Sequence, residues 1–282
     1  MKKTRYLLPA LLLLFSCGGN ETKLPESSLE TEVATEKELP LKKMTFEEAM
    51  ADTLSTEHPV EIEGYIQLPT LSTIGDKEQS VSLFGRKNQT NGLAIYTKMP
   101  VGSGKNSMKK LPLEYDKSDV KITGNKGETL GLNQRVKLTG KMYYMKSYTK
   151  GEPGTTYFTV EKIEEVDDKE FDYSAWKTVK SFSEISKDEN RHNEYYIEGT
   201  VEVPMFVLTG WEMAIDLKKG GETVTIKIMT GKENNQMEDL KENWTKKDIK
   251  IRNFEGKMIK PGQKVRVYGV AALDGLHVER IE

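Results

Sequence analysis

The sequence repeats itself once along its length, and this repeat constrains the fold more than any other feature. When the chain is shifted by 129 positions, residues 102–140 align with residues 231–269 without a gap. The two segments share 12 identical residues in 39 positions, whereas ordinary composition would give about two or three. In the first segment the identical residues are Gly102, Asn106, Met108, Leu111, Lys117, Asp119, Lys121, Ile122, Gly127, Gln134, Val136 and Gly140. Such a long period predicts two tandem domains, because solenoid repeats are only about 20–50 residues long.

Both copies carry the alternation of apolar and polar residues that is typical of half-buried β-strands. Glycine, proline and asparagine separate the runs, which predicts turns between them. Strands are predicted at 60–66, 81–84, 93–96, 120–122, 135–140 and 157–160, and again at 195–203, 211–217, 224–229, 249–251, 264–270 and 277–281. Short helices are predicted at 45–54, 106–113, 181–187 and 234–243.

The amino-acid pattern of the second copy resembles that of OB-fold proteins, whose domain is a small Greek-key barrel of five strands. Residues 198–201 read Glu-Gly-Thr-Val, and residues 261–270 read Pro-Gly-Gln-Lys-Val-Arg-Val-Tyr-Gly-Val. The Pro-Gly pair turns the chain into a strand, the valines face inward at period two, and Gly269 allows the strand to bend. The resemblance covers residues 43–166 and 178–282 and implies an all-β fold with short helices: two tandem five-stranded OB-like barrels.

The first residues of the chain have the pattern of a secretory signal peptide. Lys2, Lys3 and Arg5 precede an apolar run at residues 7–15, and Cys17 follows. The segment Leu-Phe-Ser-Cys that ends at Cys17 resembles the lipobox of bacterial lipoproteins. That resemblance implies removal of residues 1–16 and acylation of Cys17, for example with palmitate, and therefore a membrane anchor at the bacterial cell envelope. A buried N-terminal helix is the alternative interpretation.

The predicted organisation after the signal peptide is a tether and two domains. Residues 17–42 are rich in glutamate and poor in large apolar side chains, which predicts a flexible acidic tether. A helix over residues 27–38 is the alternative. The first OB-like domain is predicted at 43–168, a linker at 169–177 and the second domain at 178–282.

The charge balance disfavours nucleic acid as a partner. The chain has 42 basic and 44 acidic residues. Removal of the signal peptide with Lys2, Lys3 and Arg5 leaves 39 basic residues against 44 acidic ones, a net charge of −5. Basic residues are interleaved with acidic ones, and no basic stripe emerges of the kind that supplies affinity for nucleic acids.

The sequence offers no enzymatic motif, so we expect a protein without catalytic activity. The single cysteine and the three histidines, His58, His192 and His277, lack the spacing of metal ligands. Neither a metal nor a cofactor is therefore expected. Residues 102–105, Gly-Ser-Gly-Lys, lack the further glycine and the Ser/Thr of a phosphate-binding loop and are interpreted as a turn.

Aromatic side chains provide the candidate ligand-binding residues. OB barrels bind ligands on strands two and three and on the adjoining loops, which here include Phe84, Tyr96 and Trp211. The hairpin between the last two strands of copy one is 11 residues longer than its counterpart, and it carries Tyr143, Tyr144 and Tyr148. The alternative is that these rings fill the barrels or the contact between them.

The sequence thus predicts an envelope lipoprotein that binds or scaffolds a protein or glycan partner, with copy one as the binding copy. Two alternatives stay open: an accessory domain of an envelope hydrolase system, and an OB protein that binds nucleic acid.

Overall fold

Two closed β-barrels follow one another along the described part of the chain. The computed structural model describes residues 39–68, 75–150, 154–204, 210–241 and 243–282. The predicted signal peptide, Cys17 and the tether up to residue 38 lie outside the described residues, so the statements about them stay predictions. The fold is all-β with few and short helices, as the sequence predicts.

The first barrel is a five-stranded sheet that closes on itself. Its elements in chain order are β1 (Lys42–Met44), α1 (Phe46–Ala51), β2 (His58–Gln67), β3 (Glu78–Phe84), β4 (Ile95–Pro100), β5 (Ser107–Met108), β6 (Ile122–Thr123), β7 (Thr129–Leu130), β8 (Arg135–Met145) and β9 (Thr155–Glu165). The sheet order is β1-β2-β3-β4-β9-β8, and pairing of β2 with β8 closes the barrel. The added strand β1 lies parallel to β2.

The second barrel has the same topology. Its elements are β10 (Lys177–Thr178), β11 (Glu194–Glu202), β12 (Glu212–Lys219), β13 (Glu222–Met229), β14 (Ile251–Arg252), β15 (Met258–Ile259), β16 (Lys264–Ala272) and β17 (Gly275–Ile281). The order is β10-β11-β12-β13-β17-β16, closed by β11 with β16. Short 3-10 helices lie at Lys117–Asp119, Phe182–Glu184, Asp188–Asn190 and Lys246–Asp248. Both halves are therefore OB-like barrels.

Fine details of the two barrels coincide at the 129-residue shift. The fourth strand of each barrel changes register at the same place, between Thr139 and Gly140 in β8 and between Tyr268 and Gly269 in β16. Such a bulge increases the local bend of a strand, which helps a small barrel to close. The repeat seen in the sequence is thus a repeat of structure down to the position of a bulge.

The helices predicted at 106–113 and 234–243 are wrong. The first region forms β5, which pairs with β6, and the described residues of the second form no helix. Asn106 and Asn235 have positive φ angles of 57° and 62°, a conformation that asparagine tolerates and that interrupts an α-helix. Their side-chain oxygens accept hydrogen bonds from the backbone N–H groups of Ile163 and Ile281, at 3.0 and 2.9 Å. Contacts with the last strand of each barrel therefore override the helical pattern.

The helices predicted before the first strands are only partly present. The prediction for 45–54 is confirmed as α1, where Thr45 Oγ1 accepts a hydrogen bond from the N–H of Glu48 at 3.1 Å. Glu48 returns a contact to the N–H of Thr45 at 2.8 Å, which completes a capping box. In the second copy only the 3-10 helix Phe182–Glu184 forms within 181–187.

The segment predicted as a linker packs against the second barrel. Phe171, Tyr173 and Trp176 join Tyr268 and Val270 in a separate apolar cluster. Each barrel also has its own core of buried aliphatic side chains. The described residues of 169–177 are thus held by aromatic packing. In the part of the chain that the structure describes, no helix has the length and apolar character needed to cross a membrane.

Candidate functional site

Three tyrosines stand side by side on the outer face of the first barrel. Tyr96 on β4 is opposite Tyr157 on β9, and Tyr157 is opposite Tyr143 on β8. Side chains alternate between the two faces of a strand. The neighbours Ile95 and Phe158 are fully buried, so the tyrosines point outward. We call Tyr96, Tyr157 and Tyr143 the tyrosine ladder.

The rings of the tyrosine ladder pack against one another. Tyr143 and Tyr157 are stacked, with centroids 5.3 Å apart and planes at 13°. Tyr96 and Tyr157 have centroids 6.0 Å apart and planes at 34°. Such pairs contribute about 0.5–1.5 kcal/mol beyond their buried area. The ladder stays partly open to solvent, since Tyr96 is 45% exposed and Tyr143 and Tyr157 are half-buried.

Two lysines extend the ladder along the strands. Lys98 and Lys141 both pair with Thr159, one step further along the same three strands. Both lysine side chains are exposed. Among the described residues, neither ammonium group has a carboxylate within 4 Å. The ladder with Lys98 and Lys141 forms what we call the ladder surface.

The long hairpin of the first barrel continues beyond the ladder. Strands β8 and β9 stay paired as far as Met145 and Thr155. The Tyr144 hydroxyl accepts a hydrogen bond from the N–H of Gly154 at 2.7 Å, and the Tyr144 N–H donates to the Leu54 carbonyl at 2.8 Å. Tyr144 therefore fixes the hairpin, whereas Tyr148 is 97% exposed near its tip.

The remaining predicted rings lie elsewhere. Phe84 is buried, with 5% of its surface exposed, and its ring offers no open face in this structure. Trp211 packs against the core of the first barrel from the second. Its ring meets that of Tyr115 edge to face at 5.7 Å. The structure therefore brings Tyr96 and Tyr143 together on the outer face of the first barrel and places Tyr148 near the tip of the hairpin. Phe84 and Trp211 lie apart from them.

Tyr157 is the member of the site that the sequence prediction missed. It begins the strand predicted at 157–160, and its outward direction follows from the alternation with Phe158. Its place between Tyr96 and Tyr143, however, depends on the register of three strands that are distant in sequence. Periodicity within one strand contains no information about that register.

One titratable cluster lies where the barrels meet. His277 Nδ1 is 3.0 Å from Glu212 Oε1, and His277 Nε2 is 3.1 Å from Asp274 Oδ1. Thr90 of the first barrel donates its hydroxyl to Glu212 at 2.5 Å. Burial opposes the charged imidazole, but the bonds to the two carboxylates prevail and raise the pKa of His277. The same contacts outweigh burial at Glu212 and lower its pKa.

This cluster suits a structural role better than a chemical one. Both ring nitrogens of His277 face carboxylates, which leaves neither free to take a proton from a substrate. Across the described ranges, no group of three His, Cys, Asp or Glu side chains is arranged to hold a metal ion.

Comparisons with known proteins add little to this geometry. No protein-family model and no curated protein matches the chain. A solved structure described as "Crystal structure of Ifi202 HINa domain in complex with 20bp dsDNA" is 13% identical over 74% of this chain and 83% of that chain, with a TM-score of 0.21. Another, described as "Structural mimicry for functional antagonism", is 13% identical over 74% and 80%, with a TM-score of 0.20. TM-scores this low support no inference about fold or ligand.

Proposed function

We propose that this chain is a lipid-anchored protein of the bacterial cell envelope that binds a partner protein through the ladder surface, without catalysing a reaction. The observation that carries the proposal is the row of three outward tyrosines across β4, β9 and β8. Tyrosine supplies a large contact area at a small loss of conformational entropy and is enriched at binding hot spots. A row of them on a solvent-facing sheet is therefore a suitable protein-binding surface.

The ring geometry favours a protein over a nucleic acid or a glycan. Tyr157 is flanked by Tyr96 on one side and by Tyr143 on the other. A base stacks on an aromatic face, but the central ring already stacks on Tyr143 on one side and packs against the tilted ring of Tyr96 on the other. The ladder offers ring edges and hydroxyl groups instead, which match the mixed apolar and polar surface of a protein. The outer faces of the two end rings are not used within the ladder, so a glycan stays the first alternative and a nucleic acid the second.

The charges around the ladder favour an acidic or neutral partner surface. Lys98 and Lys141 have no ion-pair partner among the described residues, and Lys146 and Lys150 belong to the long hairpin. Complementary charge steers association and suppresses wrong partners. We therefore expect binding to weaken moderately as the salt concentration rises.

Membrane attachment through Cys17 rests on the sequence. Lys2, Lys3, Arg5 and the apolar run at 7–15 form the signal, and Cys17 is the only cysteine of the chain. Several acyl chains on one residue give stable anchoring, since each buried methylene contributes about 0.8 kcal/mol. The composition of the acidic segment at 17–42 predicts a flexible link between this anchor and the barrels.

Metabolic labelling tests the anchor. Cells that express the chain are grown with radioactive palmitate, and the Cys17→Ser variant is labelled in parallel. We expect label and membrane-fraction recovery for the wild type and the loss of both for the variant. Equal labelling of the two proteins would refute the anchor without bearing on the ladder surface.

Photo-crosslinking in cells tests the binding surface. A photoreactive phenylalanine analogue is placed at Tyr96 or at Tyr148. The matched control position is Leu273, which is exposed in the short hairpin of the second barrel that corresponds to the long hairpin of the first. We expect a discrete protein adduct from Tyr96 and Tyr148 and none from Leu273. An adduct sensitive to cell-wall hydrolases would indicate a glycan, one sensitive to nuclease a nucleic acid, and adducts from Leu273 alone would contradict the assignment to barrel one.

A further inference from the structure

A small cleft opens between the two barrels, away from the ladder surface. Its volume is about 290 Å³, which is near the lower end of ligand pockets. Residues of both barrels line it. They include Tyr115 and Lys117 of the first barrel and Trp211, Glu212, Lys227 and Met229 of the second. No residue of the ladder surface contributes to the lining.

Lys117 brings a half-buried positive charge into this cleft. Its ammonium group donates to the carbonyl oxygens of Trp211 at 2.7 Å and Thr230 at 3.0 Å, and it lies 5.9 Å from the centre of the Trp211 ring. An ammonium group has three N–H donors, so one donor has no partner among the described residues. Burial lowers the pKa of Lys117 to about 8, although Glu212 and Asp239 oppose the shift.

The charge balance of the lining leaves Lys117 uncompensated. Of the other charged lining residues, Lys227 is paired with Asp274, and Glu212 is paired with His277. No carboxylate among the described residues lies within 4 Å of Lys117 Nζ. A half-buried cation without a direct ion pair is stabilised by an anion. The lining as a whole has one positive charge in excess, which suits a monoanion better than a dianion.

We propose that the cleft between the barrels binds a small organic carboxylate, with its carboxylate on Lys117 and its apolar or planar body against Tyr115 and Trp211. The two rings meet edge to face, with centroids 5.7 Å apart, and Met229 adds a polarisable surface. The volume limits the ligand to about the size of an amino acid. This site is independent of the proposed partner-binding surface.

The repeat supplies a matched control. Lys246 occupies the position of Lys117 at the 129-residue shift, and both lysines begin a 3-10 helix. Lys246, however, is exposed. Lys117 and Lys246 therefore occupy equivalent positions in the two copies but differ in burial.

The test is a titration followed by NMR on the chain from residue 17 onward with Cys17→Ser. Benzoate is the probe, benzyl alcohol its neutral analogue, and phenyl phosphate the dianion. The signals observed are the indole N–H of Trp211, assigned with Trp211→Phe, and the ε-methylene group of Lys117. We expect benzoate to shift both signals saturably and to raise the pKa of Lys117. Benzyl alcohol should bind at least about tenfold more weakly than benzoate, because it cannot form a charge-assisted hydrogen bond with Lys117. Phenyl phosphate should be weaker by a similar factor, because it carries one negative charge in excess.

The variants separate the site from nonspecific binding. Lys117→Met should weaken benzoate at least about tenfold, whereas Lys246→Met and the pair Tyr96→Ser with Tyr143→Ser should leave it unchanged. Equal binding of benzoate and benzyl alcohol would overturn the proposal even if Lys117→Met fails to fold. So would the absence of any saturable shift with benzoate, acetate and indole-3-acetate up to their solubility.

Discussion

Arg86 of the first barrel and Glu279 of the second form a bidentate salt bridge. Arg86 Nε is 2.7 Å from Glu279 Oε2, and Arg86 Nη2 is 3.0 Å from Glu279 Oε1. Its third nitrogen lies 2.7 Å from Glu194. Phe171 and Trp176 lie against the guanidinium group, with ring centres 5.0 and 5.1 Å from Arg86 Cζ. The contact therefore ties both barrels and the segment between them together.

Replacement of Arg86 should strongly destabilise the protein. Only 1% of Glu279 is exposed, and burial raises the pKa of its carboxyl to about 7 even against the opposing effect of Arg86. Removing one partner of a buried pair leaves the other without compensation, which costs about 3–5 kcal/mol. We expect Arg86→Met to lower the free energy of unfolding in urea by that amount.

The matched control for Arg86 is a surface pair. Arg266 donates through Nε and Nη2 to Glu198 at 3.0 and 2.7 Å, but both side chains are solvent-accessible. Exposed pairs contribute little, so Arg266→Met should change stability far less. Equal losses in the two variants would show that burial of the Arg86–Glu279 pair is not what matters.

His277 should make stability depend on pH. Its pKa is raised in the folded protein by Glu212 and Asp274, so its contribution is fully present below the ordinary histidine pKa of 6.5 and is lost as the pH rises through the folded-state pKa. The pKa of Glu212 is lowered, so the contribution of Glu212 to stability is lost as the pH falls through its folded-state pKa. Lys227 faces the same cluster, because its ammonium group contacts Asp274.

The contribution of His277 to stability is measured by urea unfolding of the wild type and of His277→Gln at several pH values from weakly acidic to weakly alkaline. The stability difference between the two proteins should shrink as the pH rises above 6.5. The control is His192→Asn, which replaces a histidine outside the Glu212–Asp274 cluster at a backbone position with a φ of 64°, a conformation that asparagine tolerates. A constant difference between wild type and His277→Gln would refute the assignment.

Two equivalent glycines should be needed for the bulges. A Cβ added to Gly140 would clash with the carbonyl oxygen of Thr159, and one added to Gly269 would clash with that of His277. Forced overpacking costs about 1–3 kcal/mol. We expect Gly140→Ala and Gly269→Ala each to lower the unfolding free energy by this amount.

Gly131→Ala is the corresponding control, because a Cβ there would meet open space. Thermal or urea unfolding of the three variants gives the comparison. If Gly140→Ala were as stable as Gly131→Ala, the strand would not require a glycine for its bend, and the shared bulge would lose its significance for barrel closure.

The sequence predicts the barrels because their determinants are local and repeated. Valine alternation in β16 and the glycine at its bend are visible in one stretch of chain, and the second copy doubles the signal. The helices predicted around Asn106 and Asn235 fail because each asparagine is fixed by a strand that ends the same barrel. Such a contact leaves no trace in local periodicity.

The sequence alone predicts only some of the residues of the candidate site. Tyr96 follows from the OB-like strand assignment and Tyr143 from the extra length of its hairpin, but Tyr157 requires the register of β9 against two partners. Trp211 lies apart from the ladder, where its ring packs against the first barrel and lines the cleft between the barrels. The Arg86–Glu279 bond likewise joins residues 193 positions apart. Pairings across the fold have no signature in a single sequence.

The most direct test of the account is the affinity of the ladder surface for the partner that crosslinks to it. The dissociation constant is measured for the wild type, for Tyr96→Ser combined with Tyr143→Ser, and for the control Leu113→Ser, a residue that is 92% exposed away from the ladder. Tyr144 is left intact because it fixes the hairpin. We expect at least about tenfold weaker binding for the folded double variant and none of this loss for the control. Unchanged affinity of the double variant would show that the ladder is not the binding surface.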